Sequence, residues 1–338
     1  MTLQSPLADL SKGDRLGTGN GGVHCDSTGH ALAQGTRPVP SGGTDVSQRQ
    51  LESGLLASPP MGIHLPPRRA ASGAFQPSST PALSVVVPAY REGQGIRVSL
   101  DRLTAALGAT GTTWEVVVVV DGDEATSRAA MGCQSARLRV VGYGCNRGKG
   151  FALRYGLAQT RGEVVTIIDA DMEIAPEEIG RMVSLLHLYQ ADIVVGSKRH
   201  PLSEVRYPFF RRVQSRAYQL LLRVLFRFNL SDTQTGLKVM RREVATRVVD
   251  VALVKRFAFD VELLALARHF GYKRVIEAPV RIDYAFETTT GLPAVARVLW
   301  DTAAIFYRLR LRHWYDRNAT AGRRALDVGL LDPVRGEP

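Results

Sequence analysis

The segment EVVTIIDADMEIAP, residues 163–176, runs from an apolar stretch directly into a group of acids. The stretch from Val164 to Ile168 predicts a strand that is covered on both faces. Asp169 and Asp171 follow at once, and Glu173 comes two residues later. Because carboxylates are seldom buried without a partner, these acids predict that the strand ends at a site open to ligands.

The same arrangement recurs along the chain. Apolar runs at 83–87 (ended by Pro88), at 116–120 (ending in Asp121), in LRVVGYG and in ADIVVGS predict further strands, and the segments between them predict helices at 92–107, at 150–159 and across APEEIGRMVSLLHLY. This alternation predicts an α/β fold with a doubly wound, mostly parallel sheet. Ligands bind beyond the carboxyl ends of such strands, and the segments 88–92, 121–123, 146–149 and 169–173 lie there.

Composition divides the chain into four segments. We predict a disordered extension at 1–80, which is rich in Gly, Ser, Thr, Pro and Gln. One domain is expected at 81–290, an amphipathic, membrane-associated helix at 291–316, and a flexible tail at 317–338. Residues 1–80 hold six Lys/Arg and five Asp/Glu, so nearly all of the net charge of +11 falls on the part predicted to fold. Such an excess suits an anionic partner: nucleic acid, a membrane surface or a phosphorylated substrate.

Cysteine content and hydropathy bear on the compartment. Cys25, Cys133 and Cys145 form no CxxC pair, which argues against a zinc site and favours the cytoplasm. The chain has no run of about 18 uninterrupted apolar residues and no basic-then-apolar signal pattern at its start. We therefore expect a cytoplasmic protein that meets a membrane from the side.

The two aspartates of the opening segment have the spacing D-x-D, which lets two carboxylates share one hard cation. Mg²⁺ takes one or two protein carboxylates and completes its shell with water and substrate phosphates. By itself, a D-x-D pattern is common by chance. The alternative to a metal site is that both aspartates are solvated residues of a loop. Its place after a strand in an α/β pattern favours Asp169 and Asp171 as ligands of Mg²⁺ or Mn²⁺.

The turn NRGKG, residues 146–150, precedes a predicted helix. Helix N-termini favour phosphate, and Lys149 adds positive charge, so the turn is a candidate for the phosphates of a donor. A tight turn with a solvated lysine, without any phosphate site, explains these residues equally well. The spacing is that of neither a P-loop nor a dinucleotide fingerprint.

Seven blocks occur in an order that resembles family 2 glycosyltransferases. They are SVVVPAYREG (84–93), VVVVDG (117–122), NRGKGFALRYGL (146–157), DADMEIAPEEI (169–179), VVGSKRH (194–200), SDTQTGLKVMRRE (231–243) and FAFDVELLALARHFGY (257–272). The chain is most similar to the polyprenyl-phosphate sugar synthases, and DTQTGLK and FAFDVELL favour the dolichyl-phosphate glucosyltransferase type. The resemblance covers about residues 83–284. It implies a GT-A fold, a nucleotide-sugar donor, a divalent metal and a lipid phosphate acceptor.

The resemblance also implies roles for single residues. The donor-binding positions, with Lys149 from the turn, are Pro88, Tyr90, Glu92, Asp121, Lys149, Asp169 and Ala170. The metal positions are Asp169, Asp171 and Glu173; the acceptor-phosphate positions are Lys198, Arg211 and Ser215; and the catalytic set is Asp171, Lys198 and Arg211. The family's usual DDGS is changed here, since Val120 replaces the first aspartate and Asp123 the serine.

Two basic segments combine arginines with an apolar face at helical spacing. The first, 206–228, carries six arginines and no acid, with Tyr218, Leu221, Leu222, Leu225 and Phe226 on its apolar side. The second spans about 293–314 and includes Trp300, Phe306, Tyr307 and Trp314. Helices of this kind bind membrane interfaces and anionic lipid. The alternative is that both cover the edge of the sheet with their arginines in water.

The resemblance therefore implies an inverting, metal-dependent hexosyltransferase that moves a sugar from a UDP-glucose or GDP-mannose type donor to a polyprenyl or dolichyl phosphate. It would act at the inner, cytoplasmic membrane face. One alternative is a soluble family 2 enzyme with a non-lipid acceptor. Another is a basic nucleic-acid-binding protein, but the sequence has no recognised nucleic-acid module, and this alternative leaves the acidic strand end unexplained. We expect no nucleic-acid partner.

Overall fold

The structure, a computed structural model, describes residues 80–203, 209–282 and 292–318. Within two helices it describes side chains only from residue 217 and from residue 295 onward. The predicted extension before residue 80 and the predicted tail after residue 318 lie outside the described residues.

The described chain forms one mixed sheet of seven strands in the order β3-β2-β1-β4-β6-β5-β7. The strands are β1 (Leu83–Ala89), β2 (Trp114–Asp121), β3 (Leu138–Tyr143), β4 (Val164–Ile167), β5 (Ile193–Ser197), β6 (Lys238–Arg241) and β7 (Val275–Pro279). β6 runs antiparallel to both of its neighbours, β4 and β5, and the other pairs are parallel. The predicted α/β class with a mostly parallel sheet is confirmed.

Helices cover both faces of the sheet. They are α1 (Gly95–Gly108), α2 (Glu124–Met131), α3 (Lys149–Leu157), α4 (Glu178–Leu188), α5 (Phe209–Phe226), α6 (Arg242–Val251), α7 (Phe259–His269), α8 (Leu292–Phe306) and α9 (Trp314–Arg317), with a π-helical segment at Tyr307–Leu311 after α8. α1 starts later than predicted because Arg91 and Gly93 adopt positive φ angles, which no right-handed helix accommodates.

The run of valines in β2 shows why both faces are apolar. Val117 and Val119 belong to the core beneath α3, α6 and α7, whereas Val116, Val118 and Val120 belong to the core beneath α1 and α4. Successive strand side chains point to opposite faces, so a strand that is covered on both faces is apolar at nearly every position. The interior strand bodies therefore leave the polar residues to the strand ends.

The prediction that Pro88 ends β1 is wrong. Pro88 lies within the strand, in register with Val119 of β2. The amide of Ile168 donates to the carbonyl of Val86, so the backbone of residue 86 faces β4. Residue 88 faces the same way, past the point where the β1–β4 pairing stops at Val86, and its missing N–H therefore costs no ladder hydrogen bond.

The C-terminal helices pack on the domain. Ile305, Leu309 and Tyr315 are buried in the core that includes α6 and α7. The hydroxyl of Tyr315 donates to Glu262 at 2.7 Å, which ties α9 to α7. Among the described residues, no helix is both long and apolar enough to cross a bilayer.

Candidate active site

The predicted site residues whose side chains the structure describes meet at one edge of the sheet. β1, β2 and β4 are neighbours or near neighbours, and their carboxyl ends carry the segments with Glu92, Asp121 and Asp169. Because β6 is antiparallel, its beginning lies at this same edge and brings Gly236 and Lys238 to the site. The edge is therefore built by parallel strand ends and one antiparallel strand start.

An ion pair links the D-x-D segment to the NRGKG turn. Lys149 Nζ, at the start of α3, lies 2.6 Å from Asp169 Oδ1. Desolvation opposes the charge of Lys149, but Asp169 and Asp260 outweigh it and raise the pKa of the lysine. Desolvation likewise works against Asp169, but Lys149, Lys238 and Lys198 hold the pKa of Asp169 below its usual value. Both groups are therefore charged at neutral pH, and Lys149 is not the solvated lysine of the alternative reading.

A second ion pair joins the D-x-D segment to the predicted acceptor site. Lys198 Nζ, just after β5, lies 2.5 Å from Glu173 Oε2. Both residues line one small cleft with Asp169, Asp171 and Gly236. The structure thus brings the predicted metal residues and the predicted acceptor lysine into a single cleft.

Acids outnumber nearby cations at the mouth of this cleft. Desolvation raises the pKa of Asp171, and the charges of Asp169 and Glu173 raise it further, although the amide of Glu173 donates to its Oδ1. Desolvation also raises the pKa of Glu92, and Asp171 and Asp169 add to that rise. Repulsion among these carboxylates is the condition that a bound divalent cation relieves.

The predicted metal ligands do not form a ready-made site. Within the described part of the chain, no three His, Cys, Asp or Glu side chains converge as a metal cluster. Asp169 and Glu173 form ion pairs with Lys149 and Lys198, and one carboxylate oxygen of Asp171 accepts a hydrogen bond from a backbone amide. Since Mg²⁺ needs only one or two protein carboxylates beside substrate phosphates, Asp171 with Asp169 fits such an ion, and the three-ligand set stays a prediction.

Asp121 organises the NRGKG turn. Its carboxylate is 3% exposed and accepts hydrogen bonds from the amides of Arg147 (2.7 Å) and Gly148 (2.9 Å). Burial raises the pKa of Asp121 despite these donors. The turn was predicted to bind a donor phosphate through its backbone amides, but the amides of Arg147 and Gly148 donate to Asp121 instead. Asp121 positions the turn, and its expected contact with the donor stays a prediction.

The departure from DDGS has a structural role. Asp123 is the N-cap of α2, and its carboxylate accepts a hydrogen bond from the amide of Thr126. The hydroxyl oxygen of Thr126 in turn accepts hydrogen bonds from the backbone amides of Glu92 (2.9 Å) and Gly93 (3.0 Å). Asp123 and Thr126 therefore fix the loop after β1, which carries the predicted donor residues Tyr90 and Glu92.

The remaining donor positions differ in exposure. Tyr90 is 39% exposed, and the guanidinium of Arg91 lies 5.1 Å from the centre of its ring. An exposed aromatic ring of this kind offers a flat surface on which a base can stack. Pro88 lies within β1 and Ala170 is buried between the two aspartates, so both shape the site through backbone and packing.

The predicted acceptor-phosphate residues are placed unequally. Lys198 lines the cleft, and its amide donates to Asp232 at 3.3 Å. Arg211 and Ser215 fall in the first turns of α5, where side chains lie outside the described residues. Their contact with a phosphate therefore stays a prediction.

Sequence reasoning missed a buried ion pair behind the cleft. Lys238 is fully buried, and its Nζ lies 2.6 Å from Asp260 Oδ1 at the start of α7. Both charges act on the cleft, since Lys238 lowers the pKa of Asp169 and Asp260 raises that of Lys149. Lys238 lies in the block DTQTGLK and Asp260 in the block FAFDVELL, so both blocks pointed to the site. The motifs alone do not show that these two residues form an ion pair.

The structure corrects the apolar face predicted for α5. Leu222 and Phe226 are buried in the core, and the hydroxyl of Tyr218 lies 2.8 Å from that of Thr302 in α8. Leu221 of the predicted face is 36% exposed, and Leu220, Val224 (71% exposed), Arg223 and Arg227 also face outward. α8 and the π-helical segment also expose Leu299, Trp300 (77% exposed), Tyr307 and Leu311. The described helices therefore expose apolar and basic residues, of which Trp300, Tyr307, Arg223 and Arg227 were predicted and Leu220, Val224, Leu299 and Leu311 were not.

Comparisons with known proteins place these features in a family. A family model described as glycosyl transferase family 2 matches residues 84–249. The dolichyl-phosphate beta-glucosyltransferase of Homo sapiens is 34% identical over 210 residues, covering 57% of this chain and 65% of the human protein. A protein of the same description from Trichomonas vaginalis is 30% identical over 253 residues, covering 70% of this chain and 76% of that protein.

A solved structure shares the fold. Glucosyl-3-phosphoglycerate synthase from Mycobacterium tuberculosis, in complex with Mn²⁺, UDP-glucose and phosphoglyceric acid, matches with a TM-score of 0.51 and 20% identity. The match covers 67% of this chain and 79% of that one. The chain spans slightly less than two thirds of the human relative's length. The Trichomonas vaginalis relative is 30% identical with 76% of its length covered, and the family model spans the D-x-D segment, so the chain belongs to glycosyltransferase family 2 and has the GT-A fold.

Proposed function

We propose that this protein transfers one hexose from a nucleotide sugar of the UDP-glucose or GDP-mannose type to a polyprenyl or dolichyl phosphate. One observation carries the proposal. The cleft that holds the D-x-D acids also holds Lys198, so a site for a donor diphosphate lies beside a cation suited to an acceptor phosphate. The family membership and the relatives described as dolichyl-phosphate beta-glucosyltransferases support it.

The donor would lie along the loops after β1, β2 and β4. Tyr90 offers its exposed ring to the base, and Lys149 supplies a positive charge next to the D-x-D segment. Asp171 and Asp169 would hold Mg²⁺ or Mn²⁺, which when bound supplies positive charge to the departing diphosphate. Lys149 would stabilise the same developing charge from the other side, because a preorganised cation in a partly buried site acts strongly.

The acceptor would need no strong protein base. A phosphate monoester has its second pKa near about 6, so it is already largely dianionic at neutral pH. Lys198, with Arg211 and Ser215 as proposed further contacts, would hold this nucleophile in line with the anomeric carbon. Direct displacement from an α-linked donor would then give a β-linked lipid-phosphate sugar.

The outward surface of α5, α8 and the π-helical segment would dock the protein on the cytoplasmic face of a membrane. It exposes the apolar residues Trp300, Leu311 and Val224 and the basic residues Arg223 and Arg227. Aromatic and aliphatic residues that are flanked by arginines suit the interface of an anionic bilayer. Lipid-linked acceptors would then reach the cleft without a membrane-spanning segment in the described helices.

A panel of labelled nucleotide sugars tests this function directly. Purified full-length protein is incubated with each donor, Mg²⁺ or Mn²⁺, and either polyprenyl phosphate in liposomes or a small water-soluble phosphate monoester. The proposal predicts one dominant donor and a product that partitions into the lipid phase. Transfer to the small monoester alone would instead support the soluble enzyme with a non-lipid acceptor, and no transfer from any donor would contradict both.

A further inference from the structure

The contact between Glu173 and Lys198 places two expected roles in conflict. Glu173 Oε2 lies 2.5 Å from Lys198 Nζ, and the side chains of Lys198 and Glu173 are 17% and 28% exposed. Lys198 is the described candidate for holding the acceptor phosphate, yet its ammonium already binds a carboxylate. A dianionic phosphate brought to Lys198 would lie beside this carboxylate, and like charges at that range repel.

We propose that Glu173 is the residue that couples cation binding to acceptor binding, by exchanging Lys198 for the cation. This inference rests on the function proposed above. With Glu173 on Lys198, the acceptor phosphate competes with a carboxylate held within the protein. With Glu173 drawn toward a cation at Asp171, Lys198 is free to bind the phosphate.

The geometry of the D-x-D segment supports the exchange. The amide of Glu173 donates to Asp171 Oδ1 at 3.1 Å, so the two acids share one turn of backbone. Both side chains line the same cleft as Lys198, so a cation held by Asp171 would lie in the cleft that Glu173 already lines.

Lys149 and Asp169 form a similar pair, but they differ in one respect. Asp260 also acts on Lys149, and Lys238 also acts on Asp169, so each member has a second partner behind the cleft. Lys198, unlike Lys149, is the cation proposed for the acceptor phosphate, so an exchange at its ion pair is the one that would bear on acceptor binding. We therefore assign the exchange to the pair on the acceptor side.

Coupling of this kind is reciprocal: if the cation tightens phosphate binding by some factor, the phosphate tightens cation binding by the same factor. An acceptor would then bind productively after the cation and the donor diphosphate are in place. This order would protect the activated sugar, because acceptor and donor are brought together only in the loaded site.

Binding of geranyl phosphate, a water-soluble prenyl monophosphate, tests the exchange without any turnover. Calorimetry is performed on the full-length protein without donor, in EDTA and in Mg²⁺. For the parent protein we expect Mg²⁺ to tighten geranyl phosphate binding by about fivefold or more, the range of ordinary allosteric coupling. Glu173→Gln should bind the probe in EDTA as tightly as the parent does in Mg²⁺, and Mg²⁺ should change its affinity by less than about twofold.

Glu177→Gln is the matched control, since the carboxylate of Glu177 pairs with Arg102, outside the cleft. It should retain the full effect of Mg²⁺. A Glu173→Gln protein that binds the probe no more tightly than the parent in EDTA would overturn the exchange while leaving the proposed function standing. Absence of probe binding to every protein, together with no product in the nucleotide-sugar panel, would overturn both.

Binding of Mn²⁺, followed by the loss of its free electron paramagnetic resonance signal, gives a second readout. Lys198→Met removes the competitor for Glu173 and should tighten Mn²⁺ binding. Arg199→Met removes the same charge one residue away, where the guanidinium donates to the carbonyl of Ser231. Equal Mn²⁺ affinities for Lys198→Met and the parent would contradict the exchange. If Arg199→Met tightened Mn²⁺ binding as much as Lys198→Met does, the gain would be a general effect of removing positive charge, and the exchange would again be contradicted.

Discussion

Gly236 lies directly against the carboxylate of Asp169: a Cβ at position 236 would stand 2.2 Å from Asp169 Oδ2. Real Cβ atoms do not approach an oxygen so closely, so any larger residue at 236 must move the aspartate. The contact arises because β6 is antiparallel and begins at the edge where β4 ends. A glycine in a distant block of sequence therefore sets the position of the first D-x-D aspartate.

Gly236→Ala should lower turnover by about tenfold or more, because small displacements of a positioned group are costly to the chemical step. The melting temperature should change little, since the nearest atoms belong to the movable end of a side chain. Steady-state kinetics beside a thermal melt checks this. Gly180→Ala is the control, because its Cβ meets only Thr110 at an ordinary 3.4 Å, and its turnover should match the parent.

Asp171→Asn should lower turnover by about a hundredfold or more while the protein remains folded, since it weakens stabilisation of the leaving group. The measurement is initial rates at saturating Mn²⁺, with circular dichroism to verify the fold. Asp101→Asn, an equivalent change on the exposed side of α1, should have no effect. Near-normal rates in Asp171→Asn would show that this carboxylate does not act on the diphosphate.

Charge reversal on α5 should separate membrane docking from chemistry. The double variant Arg223→Glu with Arg227→Glu should weaken binding to anionic liposomes by about 1 kcal/mol or more per reversed charge. Transfer to a short, soluble acceptor should be unaffected, and added salt should reproduce the loss on liposomes. Co-sedimentation is the measurement, and Arg128→Glu with Lys273→Glu, two exposed sites outside α5 and α8, is the control. Unchanged sedimentation of the α5 variant would exclude this surface from docking.

Tyr315→Phe should reduce the free energy of unfolding by about 1–3 kcal/mol, because Glu262 is fully buried and loses the hydroxyl that donates to it at 2.7 Å. Urea titration of the full-length protein measures the loss. Tyr307→Phe removes an exposed hydroxyl from the preceding π-helical segment and should be neutral. A loss within error of zero in Tyr315→Phe would mean that the hydrogen bond to Glu262 adds nothing to the stability of the domain.

Glu115 should make stability depend on acid pH. This carboxylate is 2% exposed, and although burial opposes its charge, hydrogen bonds from Arg161 and Ser84 hold its pKa below the usual 4.5. A carboxyl group whose pKa is lowered by folding stabilises the protein above its unfolded pKa, and this stabilisation is lost as the pH falls through the folded pKa. Glu115→Gln should therefore cost about 1.5–3 kcal/mol at pH 7, and less and less below pH 4.5.

Urea midpoints between pH 7 and pH 3 measure this difference. Glu124→Gln, which removes an exposed carboxylate 3.7 Å from Arg128, is the control and should follow the parent at every pH. A gap between parent and Glu115→Gln that stays constant from pH 7 to pH 3 would contradict the assigned shift.

The amino-acid sequence by itself determined five strands, β1 to β5, and the edge at which the site lies, whereas β6 and β7 were not predicted. The valines of β2 and the runs of β1, β4 and β5 are apolar on both faces, interrupted only by small polar residues such as Ser84 and Thr166, and this local property is typical of a strand covered on both faces. The polar residues that follow these runs could then be assigned to the carboxyl ends of parallel strands. Asp169, Asp171 and Glu173 were placed in this way, and Lys198 reached the same cleft through the resemblance to the family.

Tertiary structure alone decided which charges meet. β6 is short and begins with the buried Lys238, so it carries no strong strand pattern, yet its insertion between β4 and β5 brings Gly236 to Asp169 and pairs Lys238 with Asp260. Likewise the carboxylate of Asp121 turned to the amides of Arg147 and Gly148, and Leu222 and Phe226 turned to the core. Periodicity reports the faces of one element, whereas these contacts depend on how distant elements pack together, which no local pattern encodes.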